Sequence, residues 1–151
     1  METYDPELAA RVWQRVRGEG YSGPDCDSLP ELIAGEWRDA AVYLHLSRRV
    51  KGQDSARLHR LFEEEQSHAA CLRGIYKLMT RRREVAQTPP PAMEPVGMML
   101  RKCYARELRS IAEYDSRAKD PEYGPVFRRM ADQEREHCRV VLEILGNLQQ
   151  T

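Results

Sequence analysis

Two of the four histidines, His68 and His137, each follow a glutamate by three positions, in Glu65-Gln-Ser-His68 and Glu134-Arg-Glu-His137. On a helix, residues three apart lie one turn apart on one face. Each pair can therefore bring a carboxylate oxygen and an imidazole nitrogen to a single point, a chelating arrangement for a metal ion. One such pair carries little weight, because 16 Glu among 151 residues fill a given position about one time in ten. The preceding segment of each half adds weight. Glu36 is followed by Tyr43, and Glu107 by Tyr114, each seven residues on. That is nearly two turns, which sets each tyrosine on the face of its glutamate about 10 Å along the axis. Glu36, Tyr43, Glu65 and His68 map onto Glu107, Tyr114, Glu134 and His137 with offsets of 71, 71, 69 and 69 residues. An internal repeat that returns every candidate ligand to the same place is hard to obtain by chance.

Four carboxylates facing the centre of a bundle are strongly unfavourable unless protonated or paired with cations, and two divalent metals would balance them. Mixed carboxylate and imidazole donors suit iron or manganese, whereas structural zinc favours a closed four-ligand site with thiolates. Six protein ligands shared by two metals leave positions open to water, dioxygen or peroxide.

These residues need helices to hold them, and four long segments read as helices: apolar residues recur three and four apart, while Gly and Pro gather between. The first starts at Ser28-Leu-Pro-Glu31, a capping-box pattern, and runs through Glu36 to about Arg49. The second begins near Ser55, continues through His68 to Met79, and stops at the basic run Arg81-Arg82-Arg83, suited to the negative end of a helix dipole. The third runs from about Val96 to Lys119. Asp120-Pro121 then supplies a cap and a first-turn proline for the fourth, which continues to about Leu148. A shorter helix, from about Pro6 to Gly18, comes first. Between the second and third helices lies Thr88-Pro-Pro-Pro-Ala-Met-Glu-Pro95. In polyproline-like geometry the 14 residues from Arg83 to Val96 could run about 40 Å, enough to return along the bundle. The expected fold class is all-α. Residues 1–27 form an N-terminal helix and linker, and residues 28–151 a four-helix bundle with one long crossover.

From about Ser28 to Leu148 the sequence resembles the ferritin-like di-iron carboxylate superfamily, and within it the rubrerythrin family. The specific part is Glu36, Glu65-x-x-His68, Glu107 and Glu134-x-x-His137. The resemblance implies two iron ions, with manganese as the other option. It implies that Glu65 and Glu134 bridge the metals, that Glu36 and Glu107 are terminal, and that His68 and His137 complete one metal each. Tyr43 and Tyr114 would then orient carboxylates across the bundle. Two departures stand out. No rubredoxin-type Cys pair exists, so reducing electrons would come from a separate protein. Ser110 occupies the place, one turn after the third-helix ligand, where that family typically carries a further glutamate; Glu113 points well away from that face.

The remaining composition excludes several classes. Lys+Arg and Asp+Glu are equal at 24, which leaves no basic field for nucleic acid. No apolar stretch approaches a membrane span, and METYDPELAARVWQ lacks the layout of a signal peptide, so the cytoplasm is expected. Cys71, Cys103 and Cys138 fall in helical patterns and read as small core residues. Glu63, Glu64 and Glu136 read as solvated helix faces, His45 and His59 as surface or boundary residues, and Trp13 and Trp37 as core or interface anchors. Met93, Met98 and Met99 read as gap fillers near the crossover. The expected activity is a non-haem di-iron peroxidase acting on hydrogen peroxide or dioxygen in oxidative-stress defence, in a homodimer served by an electron-donor protein. Iron oxidation for storage, a manganese catalase-like reaction and a non-catalytic partner-binding bundle are the alternatives.

Overall fold

A computed structural model describes residues 6–7, 10, 26–83 and 89–149. It is all-helical, with four long helices: α1 (Leu29–Ser47), α2 (Gln53–Thr80), α3 (Val96–Arg117) and α4 (Gly124–Leu148). The expected helix from Pro6 to Gly18 lies outside the described residues, apart from Pro6, Glu7 and Ala10, which are helical. No helix among the described residues is long and apolar enough to cross a membrane.

Each helix buries the stripe that its three-and-four spacing marks out, clearest in α4, where Phe127, Met130, Ala131, Glu134, His137, Cys138, Val141 and Ile144 all point inward. The apolar members form two separate clusters. Tyr43, Leu46, Leu58, Leu61, Met99, Leu100, Cys103, Val141 and Ile144 pack at one end. Leu29, Ile33, Leu72, Ile75, Tyr114, Phe127 and Met130 pack at the other. Full burial of each large aliphatic side chain contributes about 1.5–3 kcal/mol, so two apolar layers clamp whatever lies between them. Met99 is buried in the first cluster, while Met93 and Met98 are exposed. Trp37 packs half-buried against the second; Trp13 lies outside the described residues.

Contacts across the bundle fix the helix directions. Tyr43 of α1 meets Glu107 of α3 while Glu36 meets Tyr114, so these two helices run antiparallel. In the same way Asp54, Arg57, Glu64 and His68 of α2 meet Asn147, Glu143, His137 and Gln133 of α4. The turns that join α1 to α2 and α3 to α4 are short. Gly52 takes φ +68° ahead of α2, a conformation L side chains rarely adopt. Gly124 sits so close to the preceding turn that a Cβ would lie 2.5 Å from the Ala118 carbonyl oxygen.

Helix ends depart from the sequence reading in two places. Ser28 is not a side-chain cap. The 3-10 turn Cys26–Ser28 leads straight into α1, which leaves Ser28 in right-handed helical conformation with its hydroxyl accepting from Arg117. Asp120 does take the Glu122 and Tyr123 N–H groups, at 2.8 and 2.7 Å, but a turn intervenes before α4 begins at Gly124.

Candidate metal centre

Between the two apolar clusters lies one polar layer, to which every helix contributes: Glu36 from α1, Glu65 and His68 from α2, Glu107 from α3, Glu134 and His137 from α4. All six are at most 3% exposed. His68 Nδ1 is 3.1 Å from Glu134 Oε1, 3.3 Å from Glu65 Oε2 and 3.6 Å from Glu36 Oε2. His137 Nδ1 is 3.0 Å from Glu134 Oε2, 3.1 Å from Glu65 Oε1 and 3.5 Å from Glu107 Oε1. Donor atoms of Glu36, Glu65, His68 and Glu134 lie within 4.8 Å of one another, and so do those of Glu65, Glu107, Glu134 and His137. The two groups overlap in Glu65 and Glu134. Each group could hold a metal ion.

A second set of contacts surrounds this layer. The Tyr43 hydroxyl donates to Glu107 and the Tyr114 hydroxyl to Glu36, each from the opposite helix. His68 Nε2 meets Gln133 Oε1 at 2.8 Å, and His137 Nε2 meets Glu64 Oε2 at 2.7 Å. An imidazole donating outward through Nε2–H presents its Nδ1 lone pair inward, the tautomer a metal ligand needs. Glu64 is therefore not the solvated residue that its place in Glu63-Glu64-Glu65 implies. Its side chain is 24% exposed and is held between His137 and Arg60, whose Nε donates at 3.0 Å.

The electrostatics explain what this layer needs. Burial and the neighbouring Glu36, Glu134 and Glu107 charges push Glu65 well above the carboxylate range. Burial and Glu134 raise Glu107 to about 7. Burial works against Glu36 and Glu134 too. There, hydrogen bonds prevail and hold both low, from Glu65 and His68 to the first and from Glu107, His137 and His68 to the second. Burial also opposes charge on the two imidazoles, but the surrounding carboxylates outweigh it and raise both. Without metal the layer thus depends on raised carboxyls and charged imidazoles to offset its crowded negative charge. Even so, Glu36 Oε2, Glu65 Oε2 and Glu134 Oε2 are buried without a well-aligned hydrogen bond, although an imidazole Nδ1 stands 3.0–3.6 Å from each. Two divalent cations would balance four carboxylates and occupy those oxygens, so the residues fit a metal pair.

Two further features had no signal in the spacing pattern. Asp39, one turn beyond Glu36, is buried and ion-paired to Arg106 Nε at 2.5 Å; burial raises it to about 7 against the pull of that guanidinium. Both residues line a groove of about 420 Å³ between α1 and α3, together with Gly35, Glu36, Arg109 and Ser110. Glu36 is the ligand of the layer that lines it.

The cysteines take no part. Burial raises Cys103 to about 12 and Cys138 to about 11, which keeps both as packing thiols; Cys71 is half-buried, and all three are free. His45 is half-buried and His59 lies at the surface, outside both groups. Glu63 and Glu136 are solvated as expected. No family model, curated protein or solved structure matches this chain.

Proposed function

We propose that the chain is a ferritin-like di-iron oxidoreductase of rubrerythrin type that reduces hydrogen peroxide. The observation that carries this reading is the pair of overlapping ligand groups, which share two carboxylates and end in two outward-braced imidazoles. Glu65 and Glu134 would bridge the ions, Glu36 with His68 and Glu107 with His137 would complete them, and Tyr43 and Tyr114 hold the terminal carboxylates in place by hydrogen bonds. Iron bound there would supply two electrons and open coordination positions for the oxidant.

The chain's own residues supply the rest. Apolar layers above and below exclude bulk water, and the groove beside Glu36 gives a small oxidant its approach. Reduction of one peroxide to two water molecules consumes two electrons and two protons. A separate electron-donor protein returns the electrons. The antiparallel pairings leave α2 and α3 parallel, as a bundle with one long crossover requires, and the Arg49 guanidinium donates to the Glu94 carbonyl at 2.6 Å, which sets the start of α3 beside the end of α1. A homodimer is the expected assembly.

The test is anaerobic loading with Fe(II), followed by mixing with peroxide or dioxygen in stopped flow. Two irons per chain and faster reoxidation by peroxide are expected. Faster reaction with dioxygen defeats the peroxidase assignment, and uptake well short of two ions defeats the metal pair.

A further inference from the structure

Within the ligand layer the two candidate metal positions are closely matched. Each imidazole Nδ1 has one terminal and two shared carboxylates at corresponding distances, differing by no more than 0.3 Å. Each terminal carboxylate has one tyrosine hydroxyl. The repeat breaks at the outer imidazole nitrogens. Glu64 and Gln133 are equivalent positions, 69 residues apart like the ligands beside them. One is a carboxylate at 2.7 Å from His137 Nε2, and the other an amide oxygen at 2.8 Å from His68 Nε2.

These acceptors do different work. A carboxylate that accepts Nε2–H draws the proton outward and leaves more electron density on Nδ1, whereas a neutral amide polarises the ring less. The Glu64 charge also adds to the anionic surroundings of the position on its own side. Arg60 tempers that charge only in part, because its side chain is 77% exposed and its charge is screened by water. The second break in the repeat, Asp39 with Arg106 where the other half has Ser110 with Gly35, is an ion pair closed on itself.

We propose that Glu64 makes the two metal positions unequal, so that the one built on His137 and Glu107 binds a divalent cation more tightly than the one built on His68 and Glu36. Glu64 is a positioning residue acting through His137. The inference rests on the two-metal reading of the same centre. Outer partners of this kind are worth about 10-fold to 100-fold in metal affinity, so the two positions fill in resolvable order.

Anaerobic calorimetric titration of the metal-free chain with Co(II) tests this, with total uptake measured alongside. Wild type should show two steps separated by about 10-fold or more. Glu64→Gln should weaken the tighter step and merge the two. Gln133→Glu should merge them by strengthening the weaker one, and the double exchange should restore two steps. Two indistinguishable steps in wild type, or steps unchanged by Glu64→Gln and Gln133→Glu, overturn the inequality while leaving the metal pair standing. Uptake below two ions in wild type overturns both.

Discussion

Replacing Glu65 by leucine should change stability with opposite sign in the two states of the centre. Glu65 is fully buried, belongs to both ligand groups, and has an Oε2 without a well-aligned hydrogen bond. In the metal-free chain a leucine of similar size removes a buried carboxyl crowded by Glu36, Glu134 and Glu107, a gain of about 1–3 kcal/mol that outweighs the hydrogen bond lost to Glu36, worth about 1 kcal/mol. His137 loses one neighbour but keeps Glu134 at 3.0 Å. In the loaded chain the same change removes a ligand from both positions. With free metal near 100 times the dissociation constant, each site contributes about 2.7 kcal/mol, so about 5 kcal/mol is lost. For a domain of this size that corresponds to about 10–20 °C in melting temperature. Thermal unfolding followed by far-UV circular dichroism, in chelator and in excess Mn(II) without oxygen, reads both arms. Melting of Glu65→Leu below wild type in chelator, or an equal rise of both proteins in Mn(II), would contradict a layer of crowded carboxylates held together by metal.

Three other expectations follow from the same geometry. Tyr43→Phe and Tyr114→Phe strip one hydroxyl each from Glu107 and Glu36. Each should weaken metal binding by about 10-fold, read by competition with a chromophoric chelator; unchanged affinity in both would count against the bracing role. Loading at pH 6 should release protons, because both imidazoles and the Glu65 and Glu107 carboxyls are raised and must give up theirs to bind metal. Affinity should therefore fall as pH falls, and Co(II) calorimetry in two buffers of different ionisation enthalpy measures the count. Gly124→Ala should cost about 1–3 kcal/mol, because its Cβ must push against the Ala118 carbonyl; a urea midpoint equal to wild type would show that the turn relaxes freely.

What could be read from the sequence was what a single helix encodes. Glu65 and His68 share a face by spacing alone, Glu36 and Tyr43 likewise, and the repeat made the four helices converge on one layer. Helix limits fall within a few residues of those expected because prolines and the basic run Arg81-Arg82-Arg83 act locally. Partnerships between helices were harder. Glu64 stands in a run of three glutamates, two of which face water or ligand, and nothing local says that it reaches His137. Gln133 is equally silent, although both precede the ligand glutamate of their helix by one residue, a regularity the repeat contained. The Asp39–Arg106 pair joins residues 67 apart, and Ser28 lost its capping role to a guanidinium 89 residues away. Such contacts depend on how helices face one another, which periodicity does not specify.

If these six residues hold two metal ions that share Glu65 and Glu134, a crystal structure of anaerobically Fe(II)-loaded protein, with anomalous scattering recorded at the iron edge, will show it. Two anomalous peaks per chain are expected, both in contact with Glu65 and Glu134, one also beside His68 and the other beside His137. A single peak, or iron bound elsewhere with the six side chains still hydrogen-bonded to one another, would contradict it.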